Sequence, residues 1–262
     1  MTFTSLILIN LAIALGGMLC LWIVSIVIKD ASVVDPCWGL GFVVIAWATI
    51  GQTGWHGLRG ALLVILVTVW GLRLSGYLYL RNRHEGEDRR YAAMRQKHGS
   101  SFWWVSFLTV FMLQGVLMWF ISLTFQSGMF HSGVAGIGWL GGVGVVVWVV
   151  GFIFESVGDF QMARFKSNPE NAGKVMNGGL WRYTRHPNYF GDFCVWWGLF
   201  LIASNANSWW TIVCPTLMSF FLLKVSGVSM LESDIADRRP EYETYKKTTS
   251  AFFPMPAARP SE

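Results

Sequence analysis

The apolar residues of this chain fall into seven long runs, at about 6–28, 33–51, 58–80, 102–124, 136–155, 189–204 and 209–231. A hydrocarbon core about 30 Å thick takes roughly 20 residues of helix to cross. The runs therefore predict an all-α, polytopic integral membrane bundle of seven transmembrane helices, some of them short. Polar residues gather between them, in loops at about 81–101 and 156–188 and in a tail at 232–262. No internal repeat or low-complexity linker divides the chain, so residues 1–262 read as a single membrane domain. The second run starts at a proline and holds Gly39, Gly41 and Gly51, and the fifth opens as GIGWLGGVGVVVWVVGF. Small residues at these places predict close approach of helices.

Charge gives the runs a direction. Seventeen of the 20 Lys and Arg residues fall in alternate loops and the tail: after runs one, three, five and seven. Arg59 lies on the other side, and Arg73 and Lys224 lie within runs. The positive-inside rule then places the N-terminus outside and the C-terminus in the cytoplasm.

Composition agrees with a multi-pass integral membrane protein. Residues are 53% hydrophobic and only 13% charged, against about 25% charged in ordinary soluble domains. Fifteen Trp and 19 Phe suit a chain with two membrane interfaces. The N-terminus has neither a basic leader nor a small-residue cleavage site, so its first run reads as a retained span. The four cysteines are scattered in apolar runs without CxxC or Cys/His spacing, which indicates neither a disulfide frame nor a metal site.

Ionisable residues within apolar runs are costly and usually face a cavity or a partner. Asp35 opens the second run in VVDPCWGLGF, either as an N-cap before an N1 proline or as a catalytic or binding acid. Arg73, Tyr77 and Arg81 are spaced four apart, so they share one helical face. Glu155 and Asp159 also share a face, with Gln161 and Lys166 just beyond. Such acids either accept from ribose hydroxyls or hold neighbouring arginines. The densest polar cluster is GGLWRYTRHPNYFGD, at the entrance to the sixth run. It interleaves Arg182, Tyr183, Arg185, His186, Asn188, Tyr189 and Asp192 with aromatics. A rim that meets lipid phosphates is also basic, but this mixture of donors and acceptors favours a dedicated polyanionic cofactor.

Four segments, LRNRHEGEDRRYAAMR, GFIFESVGDFQMARFK, GGLWRYTRHPNYFGDFCVWWG and RRPEYETYKKTTSAFFP, resemble a bacterial membrane family grouped with the steroid 5-alpha reductases. The resemblance runs in order along almost the whole chain. Isoprenylcysteine carboxyl methyltransferases are more distantly similar, through RHPxYxG and EYxxYKK. The reductase resemblance implies NADPH as cofactor, bound without a GxGxxG strand-turn-helix site. It carries over Arg73, Tyr77, Asn82, Arg83, Asp159, Lys166, Lys174, Asn188 and Asp192 as binding residues, and Arg182, Arg185, His186, Tyr189 and Glu232 stand beside them as further cofactor candidates. The implied catalytic group is Asp35, Trp70 and Tyr77. Asp35 stands where the reductases have Glu, Trp70 stands where they have Tyr, and Tyr77 or Tyr79 is the substitute phenol. The reductases' His near the last span is replaced by a residue near Val228.

The implied reaction is 3-oxo-5-alpha-steroid 4-dehydrogenase-like: an oxidoreductase acting on CH–CH groups. It would transfer hydride from NADPH to a conjugated C=C bond, with a protonated Asp35 holding the carbonyl. The expected partners are a lipid or steroid-like small molecule and the membrane lipids, not nucleic acid. The rival reading is a membrane methyltransferase using S-adenosylmethionine through His186, Tyr189 and Glu232. A non-enzymatic lipid carrier is the third, and lacks the internal repeat that transporters often show.

Overall fold

The structure is a computed structural model that describes residues 1–55, 57–83, 85–133, 136–225 and 241–257. Among these residues there are helices and turns but no strand. Five helical stretches are long and apolar enough to cross a membrane: Phe3–Ile28, Ala31–Thr53, Gly57–Asn82, Arg89–Phe130 and Gly138–Ser167. The protein is therefore a multi-pass, all-helical membrane protein. The sixth and seventh expected spans correspond to shorter helices, Pro187–Ala203 and Trp209–Val225. The first of these has 17 residues, or about 26 Å of helix at 1.5 Å per residue. That is the lower limit for a hydrocarbon core.

The chain divides into two compact units. Unit 1 is Met1–Gly138 with Ala203–Cys214, and unit 2 is Trp139–Ile202 with Pro215–Glu262.

Unit 1 begins with α1 (Phe3–Ile28), capped by Thr2, whose hydroxyl accepts from the Ser5 N–H at 3.1 Å. Lys29 closes the helix with φ 57°, the one left-handed non-glycine residue among those described. A 3₁₀ turn, Ala31–Val33, leads straight into α2 (Val34–Thr53). Asp30 caps that turn through the Ser32 N–H at 2.8 Å. Asp35 thus lies inside the first turn of α2, and the capping carboxylate is that of Asp30, on the 3₁₀ turn before the helix. Next come α3 (Gly57–Asn82), α4 (Arg89–His98), α5 (Phe102–Ser106), a π-helical turn at Phe107–Met112 and α6 (Leu113–Phe130). Helix α2 packs along α3, and α1 packs on α2 and α6. A Cβ on Gly39 would stand 2.5 Å from the Gly71 carbonyl oxygen, so α2 and α3 cross backbone to backbone.

The interior of unit 1 is cross-linked by polar side chains. The fully buried Asn10 of α1 donates to Thr49 Oγ1 of α2 (2.9 Å) and to Gln126 Oε1 of α6 (2.8 Å), and accepts from Gln52 Nε2 (2.9 Å). Trp119 of α6 adds an indole bond to the Ile7 carbonyl at 2.7 Å. In an apolar span these interhelical bonds satisfy groups that have no water to turn to.

Unit 2 is built on α7 (Gly138–Ser167) and α8 (Pro187–Ala203). Helix α7 is longer than the expected span by about three turns, so Glu155, Asp159, Gln161 and Lys166 are helical. Gly144, Gly151 and Gly158 recur every seven residues on α7; Gly191 and Gly198 do so on α8. A Cβ on Gly151 would stand 2.5 Å from the Gly191 carbonyl oxygen, and one on Gly144 would stand 2.8 Å from that of Gly198. In the Gly-rich entry to the fifth run, Gly144 therefore serves close packing, while Gly136, Gly138 and Gly142 face open space. The unit also includes most of α9 (Val213–Phe220), a π turn at Phe221–Val225 and, near the C-terminus, α10 (Glu241–Thr248).

Candidate functional site

The polar end of unit 1 is knitted from two loops far apart in sequence. Asp35 sits in the first turn of α2, where the helix dipole favours a negative charge. Its Oδ1 accepts from the Tyr91 hydroxyl at 2.8 Å, and its Oδ2 pairs with Arg90 Nη2 at 2.9 Å. Tyr91 is buried and its oxygen also faces Gln114 Nε2 of α6 at 3.4 Å. Below this trio, Glu87 takes two bonds from Arg95 (2.8 and 2.9 Å) and one from the Ala31 N–H (2.8 Å). Those bonds to Arg95 hold the Glu87 carboxyl below the usual glutamate range. Burial pushes Asp88 up, but hydrogen bonds from Arg90 outweigh it and leave Asp88 below the usual range too. The Asp88 N–H donates to Ser32 Oγ at 2.7 Å, closing the knot between residues 30–35 and 87–95.

Tyr91, Arg90 and Gln114 did not stand out in the sequence. Helix α4 has start and stop signals: Asp88 as N-cap, Arg95, Lys97 and His98 in the last turn, and Gly99 after it. A search for apolar runs passes over so polar a helix. The phenol bonded to Asp35 is that of Tyr91.

The remaining unit 1 candidates are dispersed along α3. Arg73 and Arg81 both lie over the Tyr77 ring, at 5.6 and 5.8 Å from its centroid, as their four-residue spacing requires. Asn82 accepts from the Arg81 Nε at 2.9 Å and is half-buried, Arg83 is exposed, and Tyr79 is 59% exposed. Trp70 is fully buried, with its ring edge-on to Phe42 at 5.7 Å.

Just inside the Asp35 turn, an apolar crevice of about 190 Å³ runs between α1, α2 and α6. Its walls include Ile13 and Gly17 of α1, Cys37, Gly41 and Val44 of α2, and Met118 of α6. A Cβ on Gly41 would overlap the Met118 thioether, so the missing side chain is what admits Met118.

In unit 2 the buried Asp159 accepts from Asn188 Nδ2 at 3.3 Å, which joins two of the expected cofactor residues. Glu155 is buried one turn away on the same face of α7. His186 is buried and stacked on Tyr189, with ring centroids 5.6 Å apart and 9° between planes. Asp192, one turn beyond Asn188, is half-buried, while Lys166, Lys174 and Arg182 are exposed.

Arg185 has a different post from the one expected. Its guanidinium is buried and donates to the carbonyls of Lys246 (3.1 Å) and Thr249 (2.6 Å), at the end of α10. A cation there meets the negative end of the helix dipole. The Arg185 N–H donates to the Ser250 carbonyl and the Met255 N–H to the Tyr183 carbonyl, each at 2.9 Å. Thr184 Oγ1 donates to the Phe252 carbonyl at 2.8 Å, and the Tyr245 hydroxyl to the Trp181 carbonyl. The RHP segment therefore straps the C-terminal tail in place. Glu232 and the residue near Val228 lie outside the described residues.

The fold and these sites define a polytopic helical membrane protein with polar clusters on buried helix faces. A family model matches residues 21–249, and the chain belongs to that family, described as a protein of unknown function (DUF1295). The family is steroid 5-alpha reductase-like. An uncharacterized protein of Schizosaccharomyces pombe is 23% identical, covering 93% of this chain and 78% of its own length. A second relative, "Probable O-methyltransferase ustE" of Ustilaginoidea virens, is 39% identical over 62 residues, 24% of this chain and 22% of that one. No solved structure matches the chain.

Proposed function

We propose that the protein is an NADPH-dependent reductase of a conjugated C=C bond in an apolar lipid. It would cross a bacterial inner membrane seven times, with α8 and Trp209–Val225 as the last two spans and the N-terminus outside. The observation that carries this reading is the Asp35–Tyr91 hydrogen bond, a carboxylate and a phenol paired at the end of a membrane helix. The donor set of unit 1 suits the cofactor's chemistry: Arg73, Arg81 and Arg83 offer guanidinium groups for phosphate.

When bound, the nicotinamide supplies the hydride. The chain's own residues manage the charge that hydride addition drives onto the substrate carbonyl oxygen. Both oxygens of Asp35 face donors, so it acts as a carboxylate that orients Tyr91 rather than as a protonated acid. Tyr91 turns its O–H to the carbonyl oxygen: the phenol O–H bond breaks and an enol O–H bond forms. Gln114 Nε2 donates to the phenolate left behind. Arg90 balances the negative charge that accumulates at Asp35 and Tyr91.

A second reading has its own support. The 62-residue match to a protein named as an O-methyltransferase favours S-adenosylmethionine as the cofactor.

One experiment decides between them. Purified protein is melted with NADPH, NADP or S-adenosylmethionine, and turnover is followed on an enone lipid. NADPH at about 100 times its dissociation constant should stabilise the fold by about 2.7 kcal/mol. Tyr91→Phe should keep that stabilisation and lower turnover by about 100-fold or more, the scale of general acid catalysis. Stabilisation by S-adenosylmethionine alone would replace this reading with the second.

A further inference from the structure

Asp35 is held from two sides. Its Oδ1 takes the Tyr91 hydroxyl at 2.8 Å, and its Oδ2 takes Arg90 Nη2 at 2.9 Å. A guanidinium beside a carboxylate often closes on it with two parallel N–H bonds. Arg90 gives Asp35 only one. The edge that would supply the pair is turned on Asp88 instead: Arg90 Nε donates to Asp88 Oδ1 at 2.9 Å, and Nη2 lies 3.4 Å from Asp88 Oδ2. Asp88 and Asp35 thus share one guanidinium, and Asp88 holds the larger part of it.

Asp88 can do so because it is itself pinned. It is the N-cap of α4, where its Oδ1 also accepts from the Arg90 N–H at 2.9 Å. Its own N–H donates to Ser32 Oγ at 2.7 Å, in the turn that runs into α2. The carboxylate therefore has a fixed place relative to the helix that carries Tyr91 and to the turn before Asp35. A cap alone asks for less, since Ser, Asn or Asp all serve. Only an acid also grips a guanidinium with charge-assisted bonds.

We infer that Asp88 is a positioning residue for the Asp35–Tyr91 pair: it holds Arg90 to one oxygen of Asp35 and so leaves the other to the phenol. The effect on turnover rests on the proposed function, but the effect on the hydrogen bond does not. Without the Asp88 carboxylate, Arg90 turns its Nε–Nη2 edge onto Asp35 and closes on both oxygens. Arg90 is the partner with room to turn, because its side chain is 47% exposed and that of Asp35 only 15%. The phenol then faces a carboxylate already neutralised by a fork of donors, and its bond weakens.

The test reads the phenol directly. The full chain is placed in bilayer discs with tyrosine labelled with carbon-13 at Cζ, and the Tyr91 resonance is assigned by its loss in Tyr91→Phe. Asp35→Asn supplies the reference position for a phenol without its carboxylate. Asp88→Asn keeps an acceptor for the cap but no charge, and should move the resonance toward that reference; if Asp88→Asn does not fold, Asp88→Ser carries the same expectation. Glu85→Gln removes the same charge from an exposed place in the same loop and should leave the resonance where it was. An ammonium cannot form the fork, so in an Arg90→Lys background Asp88→Asn should have no further effect. With an enone lipid, Asp88→Asn should lower kcat at unchanged KM, by less than the about 100-fold expected of Tyr91→Phe.

An unmoved resonance in Asp88→Asn, an equal shift in Glu85→Gln, a full shift in the Arg90→Lys background, or an unchanged kcat beside a moved resonance would each overturn the proposal. A moved resonance in a protein with no NADPH-dependent turnover would sink the reductase reading alone. Turnover by the parent chain with an unmoved resonance in Asp88→Asn would sink this inference alone.

Discussion

In unit 1, α1 is joined to α2 and α6 by side chains that reach across, whereas in unit 2 α7 meets α8, as α2 meets α3 in unit 1, where side chains are missing. In unit 1, Asn10 bridges Thr49, Gln52 and Gln126 from the centre of three helices. In unit 2, glycines at seven-residue intervals bring backbones so close that a methyl group would stand 2.5 Å from a carbonyl oxygen. The loop ends differ in kind as well. The Asp35–Arg90 ion pair and the Glu87 carboxylate on the Ala31 N–H hold residues 30–35 to 87–95, while Arg185 holds the tail through neutral backbone carbonyls. Apolar surface alone gives little reason for helices to associate in lipid. The contacts of α1 and the α7–α8 contact show two remedies, a directional bond and a close backbone contact. The first tolerates small shifts of a helix, and the second does not.

The most severe break is expected at the glycine contact. Gly151→Leu must push α8 away from α7 and should cost about 3 kcal/mol or more, read as a fall in the unfolding midpoint in detergent. A stability equal to the parent would mean that α7 and α8 do not meet there. Asn10→Leu should be milder, about 1–2 kcal/mol, because buried hydrogen bonds between membrane helices average well under their vacuum strength. A loss larger than that of Gly151→Leu would reverse the comparison.

The smallest effect is local and depends on pH. Glu87 has a folded pKa below its unfolded value, so its contribution is fully present above the unfolded value. It fades as pH falls through the folded one. Exchange protection of the Ala31 and Asp88 amides should drop in that acid window. The Arg185 and Met255 amides, bonded to carbonyls in unit 2, should keep theirs. Parallel loss at all four would show that charge pairing is not what separates the two loop ends.

Much of this was legible in the chain. The runs locate five long helices to within a few residues at most ends, because an apolar stretch of that length has few alternatives in lipid. Faces were legible too: Arg73, Tyr77 and Arg81 stack as their spacing says, and Glu155 and Asp159 are buried together. Helix α4 was overlooked because it is short and polar, so its cap signals carried less weight than apolar periodicity. The extra turns of α7 were overlooked for the opposite reason. Charged residues after 155 looked like the end of a span, though a helix continues past a membrane boundary at no cost to its hydrogen bonds.

The sequence by itself determined what depends on neighbours along the chain: where helices run, which residues share a face and where small residues allow contact. Only the tertiary structure decided who meets whom. Asp35 finds Arg90 55 positions away, and Arg185 finds the Thr249 carbonyl 64 positions away. An acid that looked available for a proton, and an arginine that looked available for a phosphate, were both assigned other partners. Periodicity repeats every 3.6 residues and is written locally. The partner of a buried charge is selected by which helices pack together, because only packing removes the water that would otherwise satisfy it.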